Sequence, residues 1–282
     1  WTWTASGTAH LTTIQQSPGS LDLTAGHDTH VTMAVPRIET TSAYRTLGVR
    51  ISPSGNNKLA KATLSSQSHE FAGRISGSKL NREATYWAFW QYYTPKVGFS
   101  LPVLSLTEQE CNNIQSPAIC ATLSKLHFNR HTSRAIIFGP PKYAGINLPN
   151  LYTTESNGQL RLLLGHLRLR DKTANLILID LSYIQLLTGS TTLFFNLPFH
   201  PYSSLVEKSW LTSIWELLYK IGFHVMIRQA FTPTPPRQHD QAIMDYLVTL
   251  KLPTKQLRRL NRCRIYLQVI HISDICSADG KT

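Results

Sequence analysis

Cysteine is scarce in this 282-residue chain. Cys111, Cys120, Cys263 and Cys276 are too few and too far apart for a disulfide scaffold, and no Cys-x-x-Cys pair suggests zinc. They are expected to be buried thiols in a reducing compartment. No uninterrupted apolar run reaches the roughly 18 residues of a membrane span, so no membrane partner is expected. The longest candidate, Leu176 to Leu187, is broken by Asp180 and Gln185. An initiating Met is missing too. The chain opens on Trp1 without a basic leader or signal-like apolar run, so the true N-terminus is expected elsewhere and secretion is not expected.

Acidic residues are the other shortage, with 16 Asp and Glu against 28 Lys and Arg, for a net charge of +12. Polyanions are therefore the expected partners, the bland alternative being a solvated basic surface. The imbalance is local. Residues 1–56 carry 3 basic and 3 acidic groups, 57–150 carry 10 and 4, and 151–282 carry 15 and 9. With 42% apolar and 16% charged residues the chain has the composition of a folded protein.

Catalytic signatures are missing. There is no G-x-S-x-G elbow, no P-loop, no dinucleotide fingerprint and no Cys–His–Asp order with a supporting motif. His127 with His131, or His239 with Asp240, lacks the second pair that a metal site needs, so these histidines read as surface or core residues. Asp274 and Asp279 have no neighbouring Glu-x-Lys pattern that would suggest a nuclease.

What is present is a change of period. Trp1 to Thr4, His10 to Ile14, Leu21 to Leu23, Val31 to Val35 and Thr46 to Ile51 alternate as antiparallel strands between Ser-Gly, Pro-Gly and Gly-His-Asp turns. From Asn57 onward the pattern is helical. Leu64, Phe71 and Ile75, with Leu80 nearby, form an apolar stripe, which leaves Lys58, Lys61, Arg74 and Lys79 mostly facing outward. A second helix is predicted over Asn81 to Tyr93, stopped by Pro95; its Tyr86, Trp87, Phe89 and Trp90 read as core rather than as base-stacking rings.

Thr107 with Glu110 forms a capping box opening a helix toward Lys125, with a break expected at Pro117. Ala135 to Phe138 looks strand-like, and Gly139 to Tyr152 reads as a compact Gly- and Pro-fixed loop. Further helices are predicted near Glu155 to Leu169, Asn175 to Leu187, Ser204 to Ile221, His239 to Leu250 and Lys255 to Ile275, with Thr232 to Arg237 as punctuation. In the last of them Leu257, Leu260, Cys263, Leu267 and Ile270 are predicted to share an apolar face, opposite Lys255, Arg258, Arg259 and Arg262. That basic face suits phosphates, a membrane surface or simply water.

The strand-to-helix hinge RTLGVRISPSGN (Arg45 to Asn56) resembles the palm-to-thumb junction of LINE-type (non-LTR retrotransposon) reverse transcriptases. The likeness continues, in the same order, through KLNREATYWAFW (79–90), TPKVGFSLPVLSLTEQEC (94–111) and SRAIIFGPPKYAGINLPNLY (133–152). LNRCRIYLQVIHISDIC (260–276) looks like the tail of such polymerases. One departure is decisive. The family's two-metal chemistry rests on an aromatic-x-Asp-Asp turn, and this chain has no Asp-Asp pair; Asp22 and Asp28 do not match.

The resemblance therefore implies the C-terminal part of a reverse transcriptase, not catalytic by itself. Mg would belong to a missing N-terminal polymerase segment, which would be a partner, and no cofactor is expected here. The implied fold is α+β, mainly α, with a palm remnant at 1–56, a thumb-like bundle at 57–152 and a helical C-terminal region at 153–282. An RNA/DNA template–primer duplex would be gripped in the nucleus or cytoplasm. Arg45, Leu47 and Gly48 would lie near the primer, Gly48 permitting close backbone approach. Lys58, Lys61, Arg74, Lys79 and Arg82 would meet phosphates along the thumb, and Lys255, Arg258, Arg259 and Arg262 would extend the track. The rivals are a protein-interaction module, whose basicity is incidental, and a decayed retroelement fragment with no present activity.

Overall fold

The computed structural model describes residues 22–24, 32–35, 39 and 41–277, and the chain divides into two compact units, 1–56 and 57–282. The class is α+β and mainly α, with two small antiparallel ribbons followed by helices. In the first unit β1 (Asp22–Thr24) pairs with β2 (Thr32–Ala34), and β3 (Tyr44–Thr46) with β4 (Val49–Ile51). The strands predicted at 1–4 and 10–14 lie outside the described residues. The single strand predicted over 46–51 is instead a hairpin turning at Leu47 and Gly48. Both have positive φ, 49° and 91°, as a two-residue hairpin loop with the right twist requires.

In the second unit α1 (Lys58–Gly77) and α4 (Glu108–Lys125) form the main helix pair. Leu64, Phe71 and Ile75 bury as their spacing predicts, joined by Ala60 and Ser68. Leu80 lies beyond the helix and is exposed. The capping box at α4 is complete: Thr107 Oγ1 accepts from the Glu110 amide and Glu110 Oε2 from the Thr107 amide. Two proline readings fail. α2 (Arg82–Ala88) widens into a π turn, Phe89–Tyr93, and continues as α3 (Thr94–Gly98) straight through Pro95. Thr94 donates both its amide and its hydroxyl to the Phe89 carbonyl; this wider turn makes room for a ring that an α turn would reject. Pro117 sits inside α4 without ending it, because Ile114, Ala118 and Ile119 bury on either side of it and one lost amide bond does not outweigh that packing.

The stretch expected as strand-like is the helical turn α5 (Arg134–Phe138). After it the Gly139–Asn150 loop is compact as expected, closed by Asn147 N–H to Gly139 O and Leu148 N–H to Ile137 O. Three buried polar groups then tie this first core to the next helix, α6 (Leu151–Leu169). Glu155 accepts the Leu106 amide at 2.7 Å, Cys111 donates to Glu155 at 3.2 Å, and Gln159 donates to Leu104 O at 2.6 Å.

A second core gathers Leu163, α7 (Lys172–Thr188), the 3-10 turn Phe194–Asn196, the short α8 (Phe199–Ser203) and α9 (Trp210–Ile221). Trp215 is fully buried and donates its indole N–H to Leu197 O at 2.9 Å. Gln185, which interrupts the apolar run, is also fully buried and brackets a turn. Its amide donates to Ser190 O and Thr192 O while its oxygen accepts from Phe194 N–H. The helix predicted over 204–221 starts late, at a Ser209–Thr212 capping box, and the one over 239–250 shrinks to α10 (Ile243–Thr249). α11 (Thr254–Leu267) stops at Gln268, whose φ of 57° ends the helix before Ile275.

Candidate nucleic-acid interface

α11 docks differently from the sequence expectation. Its buried residues are Leu257, Asn261 and Arg264, whereas Cys263 is exposed and Leu267 is 60% exposed. The reason lies in what it meets, the C-terminal end of α7, where helix carbonyls lack partners. Asn261 donates to Leu187 O at 2.8 Å, and Arg264 donates to Leu186 O, to Val269 O and to Asn261 Oδ1. Burial lowers the Arg264 guanidinium to about 10. Methyl groups would leave those carbonyls unsatisfied, so the docking face is polar. Of the four thiols expected to be buried only Cys111 is; Cys120 and Cys276 are half-buried, and Cys263 is exposed because of this docking.

Docked this way, α11 turns Lys255, Arg258, Arg259 and Arg262 outward, and all four are exposed. At 100° per residue they fall within an arc of about 100°. None is in an ion pair with a described carboxylate; Arg258 alone is tethered, its Nε donating to Ser204 O at 2.7 Å.

Lys58, Lys61, Arg74, Lys79 and Arg82, the residues expected along a thumb, are not gathered in this way. Lys61 is bound to Glu110 at 2.7 Å, and Arg74 to Glu70 at 2.6 Å and to the Tyr92 hydroxyl at 3.2 Å. Burial opposes ionisation of Glu110, yet Lys61 and Thr107 bring its pKa down to about 2; Lys96 and Arg74 lower Glu70. Helical geometry puts Lys61 and Arg74 on opposite flanks of the buried face of α1, about 140° apart. Lys58 and Arg82 open α1 and α2, and Lys79 lies between these helices; all three are exposed.

In the first unit Arg45 is exposed on β3 and Leu47 is 91% exposed at the hairpin tip beside Gly48. The register sets Arg45 directly opposite Arg50, two like charges on one face. Arg50 escaped the sequence reading because only strand pairing reveals it. So did a second basic cluster: Arg168 at the end of α6, Arg170 in the left-handed turn and Lys172 at the start of α7 are all exposed. The run RLRDK (168–172) was the available signal. Between them Asp171 caps α7 through Ala174 N–H and pairs with His166 Nδ1 at 2.7 Å.

The aromatic run divides. Phe89 and Tyr93 are buried against Phe71, whereas Trp87 and Tyr92 are nearly half exposed. Among the described residues no group of three His, Cys, Asp or Glu stands close enough to hold a metal ion, and no helix is long and apolar enough to cross a membrane. No protein-family model matches the chain, and no curated protein or solved structure matches it either.

Proposed function

We propose that this chain is the non-catalytic, duplex-gripping portion of a LINE-type reverse transcriptase, acting on an RNA/DNA template–primer in the nucleus or cytoplasm beside a separate, Mg-dependent polymerase segment. The observation that carries this reading is the basic stripe of α11, four outward cations without carboxylate partners among the described residues. Arg45 facing Arg50 supports it, since paired guanidinium groups repel each other until an anion lies between them. Contacts of this kind give affinity without reading sequence.

The test is binding of a fluorescent RNA/DNA primer–template across a salt series, with the triple variant Lys255→Ala, Arg259→Ala, Arg262→Ala beside the parent. Arg258 is left in place because it also holds Ser204. If three phosphate contacts are lost, the log–log salt slope falls by about 2 to 3. Unchanged affinity and slope in a folded variant refute the assignment. The ion-paired Lys61 and Arg74 favour the rival, a protein-interaction module with incidental basicity. Under that rival, or for a decayed fragment, the parent chain does not bind the duplex.

A further inference from the structure

α7 is apolar on two opposite sides. Its inward side carries Ile177, Leu181 and Ile184, yet Leu176, Ile179, Tyr183 and Leu186 on the opposite side are 64%, 63%, 59% and 40% exposed. Their spacing of 3, 4 and 3 residues is that of a helix-packing seam. Alongside this ridge runs a groove. At one end Pro102, Val103 and Leu162 face Leu176 and Ile177 across a cavity of about 410 Å³. At the other, Val206 and Leu211 face Tyr183, Ile184 and Leu187 across one of about 190 Å³. Trp210 and Asp180 line both, so the two cavities follow one another along the same flank. From Thr173 to Leu187 the groove is about 20 Å long, four turns of helix.

We propose that this groove docks an amphipathic helix of a partner protein that carries a Lys or Arg midway along its apolar face. The central wall residue Asp180 is exposed and has no ion pair or hydrogen bond among the described residues. The groove carries two acids, Asp180 and Glu207, against one base, Lys208, whose ammonium lies 3.8 Å from Glu110, so the unpaired Asp180 between the two pockets selects a cation. It also repels phosphate, which sets this face apart from the basic stripe of α11. A second copy is the poorer occupant, because its own α7 ridge offers Asp180 no cation except Lys172 at the far end. A helix lying in an apolar groove needs only side-chain anchors at i, i+3, i+4 and i+7, which the pocket spacing along α7 provides.

The experiment is a display selection of random helical peptides against the full chain, followed by titration of fluorescent winners against Asp180→Lys and Leu176→Asp. Both positions are exposed, so both variants are expected to fold, as circular dichroism checks. The expected winners have a helical apolar repeat with a central Lys or Arg. They should lose at least tenfold in affinity to either variant, and a Lys→Glu peptide should recover tenfold on the Asp180→Lys chain. Failure to enrich helical sequences overturns the proposal, as does binding that survives both substitutions. So does a dimer of the parent chain that Leu176→Asp dissociates, which would make the occupant a second copy.

Discussion

Replacing Glu155 with glutamine should remove a pH dependence from the stability of the second unit. Glu155 is 1% exposed, and burial raises its carboxyl pKa to about 7, against an ordinary value of 4.5, despite hydrogen bonds from Leu106 N–H and Cys111. Below about pH 4.5 the group is protonated in both the folded and the unfolded chain and contributes nothing. As the pH rises toward 7 the unfolded chain releases this proton and the folded chain keeps it, so stability falls. Above the folded pKa both states are ionised and the loss stays constant. A difference of two to three pKa units corresponds to about 3 kcal/mol, most of it developing between about pH 5 and pH 8.

Neighbouring groups leave this window clear. Glu110, with its pKa near 2, is ionised in both states across it; burial and the Glu155 carboxyl raise the Cys111 thiol, keeping it neutral in the folded chain. The glutamine side chain of the Glu155→Gln variant would retain an oxygen for the Leu106 amide. Urea unfolding of the parent and Glu155→Gln at about pH 5 and pH 8 is the assay. The advantage of the parent over the variant should shrink by about 2 to 3 kcal/mol between the two conditions, while titrations common to both proteins cancel. A constant difference would refute the reasoning and mean that water reaches the carboxylate.

Thr107→Ala should lower stability by about 1 kcal/mol through loss of the capping box, read by urea unfolding. No change would mean that the Glu110–Lys61 contact alone fixes the start of α4. Arg264→Leu should leave Leu186 O and Val269 O without their donor and cost about 2 to 4 kcal/mol. Amide exchange should accelerate first in α11 and at the end of α7, and uniform acceleration would contradict a local docking role. Gly189→Ala should cost about 1 to 3 kcal/mol, since Gly189 has φ of 65° and an added Cβ would lie 2.7 Å from Arg264 Cζ. A neutral result in thermal unfolding would mean that the Arg264 side chain shifts freely.

The sequence was most legible where a local pattern had a single physical use. Thr107 and Glu110 can satisfy the first amides of a helix in only one way, and they do. Leu64, Phe71 and Ile75 recur at helical spacing and bury against α4 and, at Phe71, against the rings of Phe89 and Tyr93. Prolines were less legible, since their effect depends on the turn before them. The hydroxyl and amide of Thr94 sharing the Phe89 carbonyl decide what Pro95 does, and no proline rule contains that information. Leu47 and Gly48 were read as strand because an apolar residue beside Gly also fits one; only the register of β3 with β4 makes them a turn.

The face of α11 is the instructive case, because hydropathy placed Leu257 inward and the basic residues outward but also put Cys263 and Leu267 on the buried side. A helix buries whatever its neighbour lacks, and α11 meets the spent end of α7, where Leu186 and Leu187 present carbonyls rather than methyls. Asn261 and Arg264 satisfy them, Cys263 and Leu267 turn to solvent, and the basic stripe settles on the far side by geometry. α7 makes the complementary point. Its outward Leu176, Ile179, Tyr183 and Leu186 look like core in the sequence, yet no described element covers them. Hydropathy states what a helix can bury; only the packing shows which of those surfaces the chain itself has used and which remain for a partner.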